Sequence, residues 1–85
     1  MSREFFREGF MNWQVEKSIG ENIRRIRSGK SITQDALAAQ MQLRGCDITR
    51  SAVAKIEAGQ RHIYLDEIIL IREILGVSFD DLFQI

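Results

Sequence analysis

An all-α fold is predicted for this chain of 85 residues, and three observations predict it. The sequence has no proline and only six glycines, so few positions break a helix. Much of the remainder is Ile, Leu, Ala, Arg, Glu and Gln, most of them good helix formers. Apolar residues recur at helical spacing, in stretches set apart by glycine or by Ser and Thr, which stop and start helices. The length suits one compact domain whose core must be dense and whose loops must be short.

The elements follow in order. Residues 1–14 read as an N-terminal extension and residues 15–85 as the folded domain. Met1 to Asn12 mixes charged and aromatic residues and lacks the apolar stretch of a signal peptide. Phe6, Phe10 and Trp13 form a helical stripe if the extension is helical; a partly disordered terminus is the alternative. Ile19, Ile23 and Ile26 give one face of a first helix over residues 16–29, which Gly29 is expected to stop. Thr33 is a good N-cap for a second helix, with Asp35 in the first turn where the helix dipole favours an acid. Its buried side is Leu37, Ala38 and Met41, and it is expected to end near Arg44, at Gly45. Residues 45–48 read as a short turn. Thr49 caps a third helix, Arg50 to Ala58, with Val53 and Ile56 inward and Gly59 at its end. A fourth helix, Leu65 to Leu75, presents Ile68, Ile71 and Leu75, and Gly76 breaks it. Ser78 caps a last short turn with Leu82 and Phe83.

Formal net charge is zero, but its distribution is lopsided. Between Arg24 and Arg61 there are eight Lys/Arg against three acids; from His62 onward there is one base against five acids. A basic middle segment is the electrostatic footprint of a nucleic-acid contact. Two helices joined by a glycine-containing turn, the second opening on short or flexible polar residues, make the helix-turn-helix plan. The second helix must enter the major groove end-on, so its first turns need side chains that reach base edges. Arg50, Ser51 and Lys55 meet that need while Val53 and Ile56 point to the core. The N-terminus of the preceding helix offers N–H groups to a phosphate, and Gln34 adds a side-chain donor there. The capping hydroxyls Thr33 and Thr49 complete the phosphate-facing set at these two helix starts.

Four segments in register then resemble the phage-repressor (lambda-repressor-like, Cro/Xre) helix-turn-helix family. They are Ile19-Gly20-Glu21-Asn22-Ile23-Arg24-Arg25-Ile26-Arg27, Thr33-Gln34-Asp35-Ala36-Leu37-Ala38, Ser51 through Arg61, and Leu75-Gly76-Val77-Ser78-Phe79-Asp80-Asp81-Leu82. The resemblance covers about residues 16–83 and implies a five-helix domain that binds operator DNA, commonly as a dimer. It implies backbone contact by Gln34, base reading by Arg50 and Ser51 with Lys55 one turn further on, and phosphate contact by Gln60 and Arg61. It also implies a partly buried salt bridge between Arg27 and Glu57. Glu57 at the end of a DNA-facing helix would repel phosphate unless neutralised, which agrees with such a pair.

Three features depart from the family pattern. The stretch from Gln34 to Thr49 is about five residues longer, and an extra helical turn through Gln42-Leu43-Arg44 would absorb it. Arg72 stands where the family has a small buried residue and is expected to snorkel outward along its stem. His62-Ile63 stands where proline is frequent.

Other functions find little support. His62 has no accompanying Cys/His/Asp cluster, so neither a metal nor another cofactor is expected. Cys46 reads as a small residue near a turn rather than a redox switch, and a single cysteine suggests a reducing, cytoplasmic setting. No run of about 18 apolar residues exists, so no membrane span is expected. No nucleophile–base arrangement, phosphate loop or paired carboxylates point to an enzyme, and no small-molecule ligand is evident. The expected function is sequence-specific binding of double-stranded DNA by a transcriptional regulator, a repressor, reading the major groove with the helix at 50–58. The alternative is a protein-interaction or antitoxin-like module on the same fold. A homodimer is expected, because one recognition helix contacts only a few base pairs. Its contact would use Ile69, Phe79 and Phe83, or the stripe at Phe6, Phe10 and Trp13.

Overall fold

The structure, a computed structural model, describes residues 10–84, with side chains from Trp13 onward. Five helices and no strand are present among the described residues: α1 (Phe10–Gly29), α2 (Gln34–Leu43), α3 (Arg50–Glu57), α4 (Leu65–Leu75) and α5 (Phe79–Leu82). The all-α expectation and the order of elements hold.

α1 is longer than its isoleucine face suggests. It starts at Phe10 and runs unbroken past residue 14, where the sequence placed the edge of the extension. No glycine or proline stands between Phe10 and Ile19 to interrupt it. Phe6 lies outside the described residues. α1 ends at Gly29 as expected, but not through a left-handed glycine. Gly29 is still helical, and Ser31 takes the left-handed conformation with φ 59°. The stop is a hydrogen-bonded turn: Lys30 N–H donates to Ile26 and Arg27 carbonyls, and Ile32 N–H returns to Arg27 O at 3.1 Å.

α2 and α3 begin as their caps dictate. Thr33 Oγ1 accepts from Ala36 N at 3.0 Å, and Thr49 Oγ1 accepts from Ala52 N at 3.1 Å. Each bond satisfies one of the N–H groups that a helix start leaves without an internal partner. The extra length between Gln34 and Thr49 is shared between helix and turn. α2 takes in Gln42 and Leu43; Arg44 to Thr49 then form the connection. That connection is anchored. Cys46 N–H donates to Met41 O at 3.0 Å, Gln42 Nε2 donates to Ile48 O at 2.6 Å, and the Ile48 side chain is buried. The added residues therefore leave α3 packed on the core.

That core gathers one stripe from every helix: Ile23 of α1, Leu37 and Met41 of α2, Val53 and Ile56 of α3, Ile71 and Leu75 of α4, and Leu82 of α5. Burying side chains of this size stabilises the fold by roughly 1.5–3 kcal/mol each. Ile48, read as part of a turn, belongs to this core as well. α1 meets α3 very closely. A Cβ on Gly20 would stand 2.3 Å from Ile56 O, so the two backbones touch where only glycine fits. Asn22 ties α1 to the C-terminal turn, its Nδ2 donating to Leu82 O at 2.8 Å and to Gln84 O at 2.6 Å. Arg72 does not snorkel outward. Its guanidinium lies 4.8 Å from the Phe79 ring centre, with Nη1 donating to Val77 O at 3.4 Å and a buried Nε without a partner. The half-buried cation lies over the aromatic face, which attracts it.

Candidate nucleic-acid interface

α3 is divided lengthwise. Val53, Ile56 and Glu57 are buried, whereas Arg50, Ser51 and Lys55 are exposed. Arg50, Ala54 and Glu57 follow one another at i, i+4 and i+7. They line one wall of a polar concavity whose other walls are Arg24, Arg27 and Ser28 of α1 and Thr33, Gln34 and Asp35 at the start of α2. Ser51 and Lys55 form the adjacent stripe of α3. The fold thus brings Arg50, Thr33 and Gln34 to one surface, with Thr49 one residue before the helix. Both threonine hydroxyls accept from backbone N–H groups as caps, which leaves each O–H free to donate outward.

The acid at the end of α3 is neutralised from within. Arg27 Nε donates to Glu57 Oε2 at 2.7 Å and Nη2 to Oε1 at 2.9 Å, a two-pronged contact between side chains 10% and 2% exposed. Arg27 Nη1 also donates to Ile32 O at 2.7 Å, so one guanidinium joins α1, the following turn and α3. Gln34 Nε2 donates to Glu57 Oε1 at 3.0 Å, which commits that amide to the same carboxylate. Four donor contacts on or from this pair satisfy the charges that burial would otherwise penalise.

The loop after α3 carries a second ion pair that the sequence did not disclose. Arg61 donates to Glu67 through Nη1 at 2.8 Å and Nη2 at 2.9 Å. Glu67 also accepts from Tyr64 N at 3.0 Å at the start of α4. Burial raises the Glu67 carboxyl, but the Arg61 hydrogen bonds, the Tyr64 N–H and the guanidinium charge outweigh it, and the net position lies below the ordinary 4.5. Arg61 therefore holds the loop in shape, while Gln60 stands exposed beside it. Its neighbour His62 contacts Glu16 Oε2 through Nδ1 at 2.6 Å, and Ile63 N donates to Glu16 Oε1 at 2.9 Å. The loop is thereby fastened to α1. The one available signal for the Arg61 pair was an acid three residues into α4, the position that reaches back to a helix start.

The concavity also contains Arg24 and Ser28, for which the sequence suggests no contact, and Asp35, expected only as a first-turn acid of α2. Asp35 Oδ1 stands 3.8 Å from Arg50 Nε, both side chains well exposed. Cys46 is partly buried; burial and the nearby acids Glu67 and Asp66 raise its thiol, which keeps it protonated and unreactive near neutrality. Among the described residues no group of three His, Cys, Asp or Glu could hold a metal ion, and no helix is long and apolar enough to cross a membrane.

Comparison with known proteins agrees with this geometry. The family model described as helix-turn-helix matches residues 23–82. The chain is also 39% identical over 73 residues to the control protein C.BamHI of Bacillus amyloliquefaciens, covering 85% of this chain and 84% of that protein. No solved structure gives a significant match.

Proposed function

Because the chain belongs to the Cro/C1-type helix-turn-helix family and is a transcriptional regulator that binds double-stranded DNA, we propose that it is a sequence-specific repressor whose α3 reads the major groove. The observation that carries this reading is the division of α3, one stripe spent on the core and the other exposed and polar at the end that would lead into the groove. Arg50, Ser51 and Lys55 contact base edges. The first turns of α2 and α3, with the Thr33 and Thr49 hydroxyls, take phosphates on either side. Gln60 adds a donor from the loop, and Arg24 and Ser28 extend the phosphate-facing surface across the end of α1. Gln34 and Arg61 act mainly through Glu57 and Glu67, fixing the surfaces that carry the contacts. The protein works where DNA is, in the cytoplasm, as a homodimer on two half-sites about 34 Å apart.

Selection of bound sequences from a random duplex pool tests this reading. A defined two-fold-symmetric site is expected. Arg50→Ala should cost about 1–3 kcal/mol on that site and relax preference at one base pair. A pool that yields no enriched sequence would reject specific reading altogether.

A further inference from the structure

The Asp35 carboxylate is an anomaly on this surface. It is exposed, it lines the same concavity as Arg24, Arg27 and Arg50, and it stands in the first turn of the helix proposed to face a phosphate. Of the three acids between Arg24 and Arg61, Glu57 is neutralised within the fold by Arg27. Among the described residues Asp35 has one cationic neighbour within ion-pair distance, Arg50, and the contact, 3.8 Å long, reaches that side chain at Nε rather than at its tip.

We propose that Asp35 is a positioning residue for Arg50, holding the Nε edge of its guanidinium so that the two terminal nitrogens are presented to a base. The proposal rests on Arg50 being a base reader. A guanidinium has five N–H donors in a fixed fork, and guanine offers the O6 and N7 acceptors that a bidentate pair requires. An arginine on a flexible stem beside a phosphate backbone has a competing partner, the phosphate itself, which rewards charge without regard to sequence. Asp35 opposes that outcome twice. Its carboxylate stands 3.8 Å from Nε, close enough to attract that edge, and its charge makes the phosphate-facing side of the concavity less attractive to DNA of arbitrary sequence. The base pair specified by this unit is one with guanine in reach of Arg50, and the cost of the acid is a weaker grip on non-cognate duplex.

The test compares Asp35→Ala, Arg50→Ala and the double variant on the selected duplex, on its single-base variants and on random duplex, across a salt series. All are surface changes, and thermal melting of each variant verifies the fold. Asp35→Ala is expected to lower preference at the base pair that Arg50→Ala also relaxes, by about fivefold or more. It is expected at the same time to bind random duplex more tightly, with a salt slope steeper by about one phosphate contact. The double variant should match Arg50→Ala in base preference. If Asp35→Ala strengthens binding to every duplex equally and keeps full base preference, Asp35 is only a repulsive charge and the positioning role is overturned. Additive losses of preference in the double variant overturn it as well. If Arg50→Ala itself leaves base preference intact, the base-reading assignment fails, a result separate from either outcome at Asp35.

Discussion

At the scale of single residues, the structure turns on two acids held by arginines, and they differ in what they report. Glu57 is almost wholly buried against Arg27. Glu57→Gln keeps the size of the side chain but leaves the Arg27 charge without its partner in a desolvated place. Breaking such a pair costs about 3–5 kcal/mol. In a domain this small, each kcal/mol moves the melting temperature by about 4–8 °C. Thermal denaturation followed by circular dichroism should therefore show a fall of more than ten degrees, about the sum of several such steps. An unchanged midpoint would mean the pair contributes no more than an exposed one. Glu67 is the acid whose titration reads out folding. Its folded carboxyl lies below the ordinary 4.5, so its contribution is complete above that value and is lost as pH falls through the folded pKa. Replacing it in Glu67→Gln should flatten the decline of stability with acid below about pH 4.5, measured as melting temperature against pH. The two pairs were not equally legible. The Arg27–Glu57 contact was reached only through family resemblance, since thirty residues separate the partners. Arg61–Glu67 depends on the path of a loop, which composition does not determine.

At the scale of elements, α3, α4 and α5 begin where the sequence places them. Thr49 and Ser78 are hydroxyl caps whose hydrogen bonds the structure contains, and α4 opens on an acid reaching back to its start. The sequence was less informative where no cap or breaker marks an edge. α1 runs unbroken from Phe10 to the isoleucine face at Ile19 because no glycine or proline intervenes, and Ile48 enters the core from a segment too short to show a period. Gly20 was a missed signal of a different kind. A glycine inside a helical pattern costs about 1 kcal/mol relative to alanine, so its presence asks for a packing reason. That reason is the Ile56 carbonyl of α3, 2.3 Å from where a Cβ would stand. Gly20→Ala is accordingly expected to destabilise by about 1–3 kcal/mol despite the better helix propensity, because backbone cannot yield as a side chain can. Chemical denaturation checks the sign. A more stable variant would show that α1 and α3 separate at no cost.

At the scale of the whole molecule, basic and acidic residues are sorted to different segments of the chain. The basic segment surrounds α3, and the C-terminal part carries the acids Asp66, Glu73, Asp80 and Asp81 on its exterior. The same end exposes Leu65 and Tyr64, with Ile69, Phe79 and Phe83 partly exposed; Phe79 and Phe83 stack with ring centres 5.7 Å apart. Ile69, Phe79 and Phe83, the first of the two sets proposed for the dimer contact, lie on α4 and at α5, which do not line the concavity; Leu65 is exposed one turn before Ile69. Mass measured in solution should show a dimer, with footprints over two half-sites; Leu65→Glu with Ile69→Glu should yield a monomer whose melting temperature is nearly that of the parent. A parent that stays monomeric and protects a single half-site at saturation would reject the assembly.

The lengthwise division of α3 has an evolutionary corollary. The side chains proposed to choose a binding site are exposed, and their neighbours on the same helix that pack into the fold are buried. Arg50, Ser51 and Lys55 can each be exchanged without opening a cavity or stranding a buried charge. A lineage built on this body can therefore move to a new target sequence in single steps, every intermediate folded. Its diversity should accumulate at these few positions while Val53, Ile56 and Glu57 stand still.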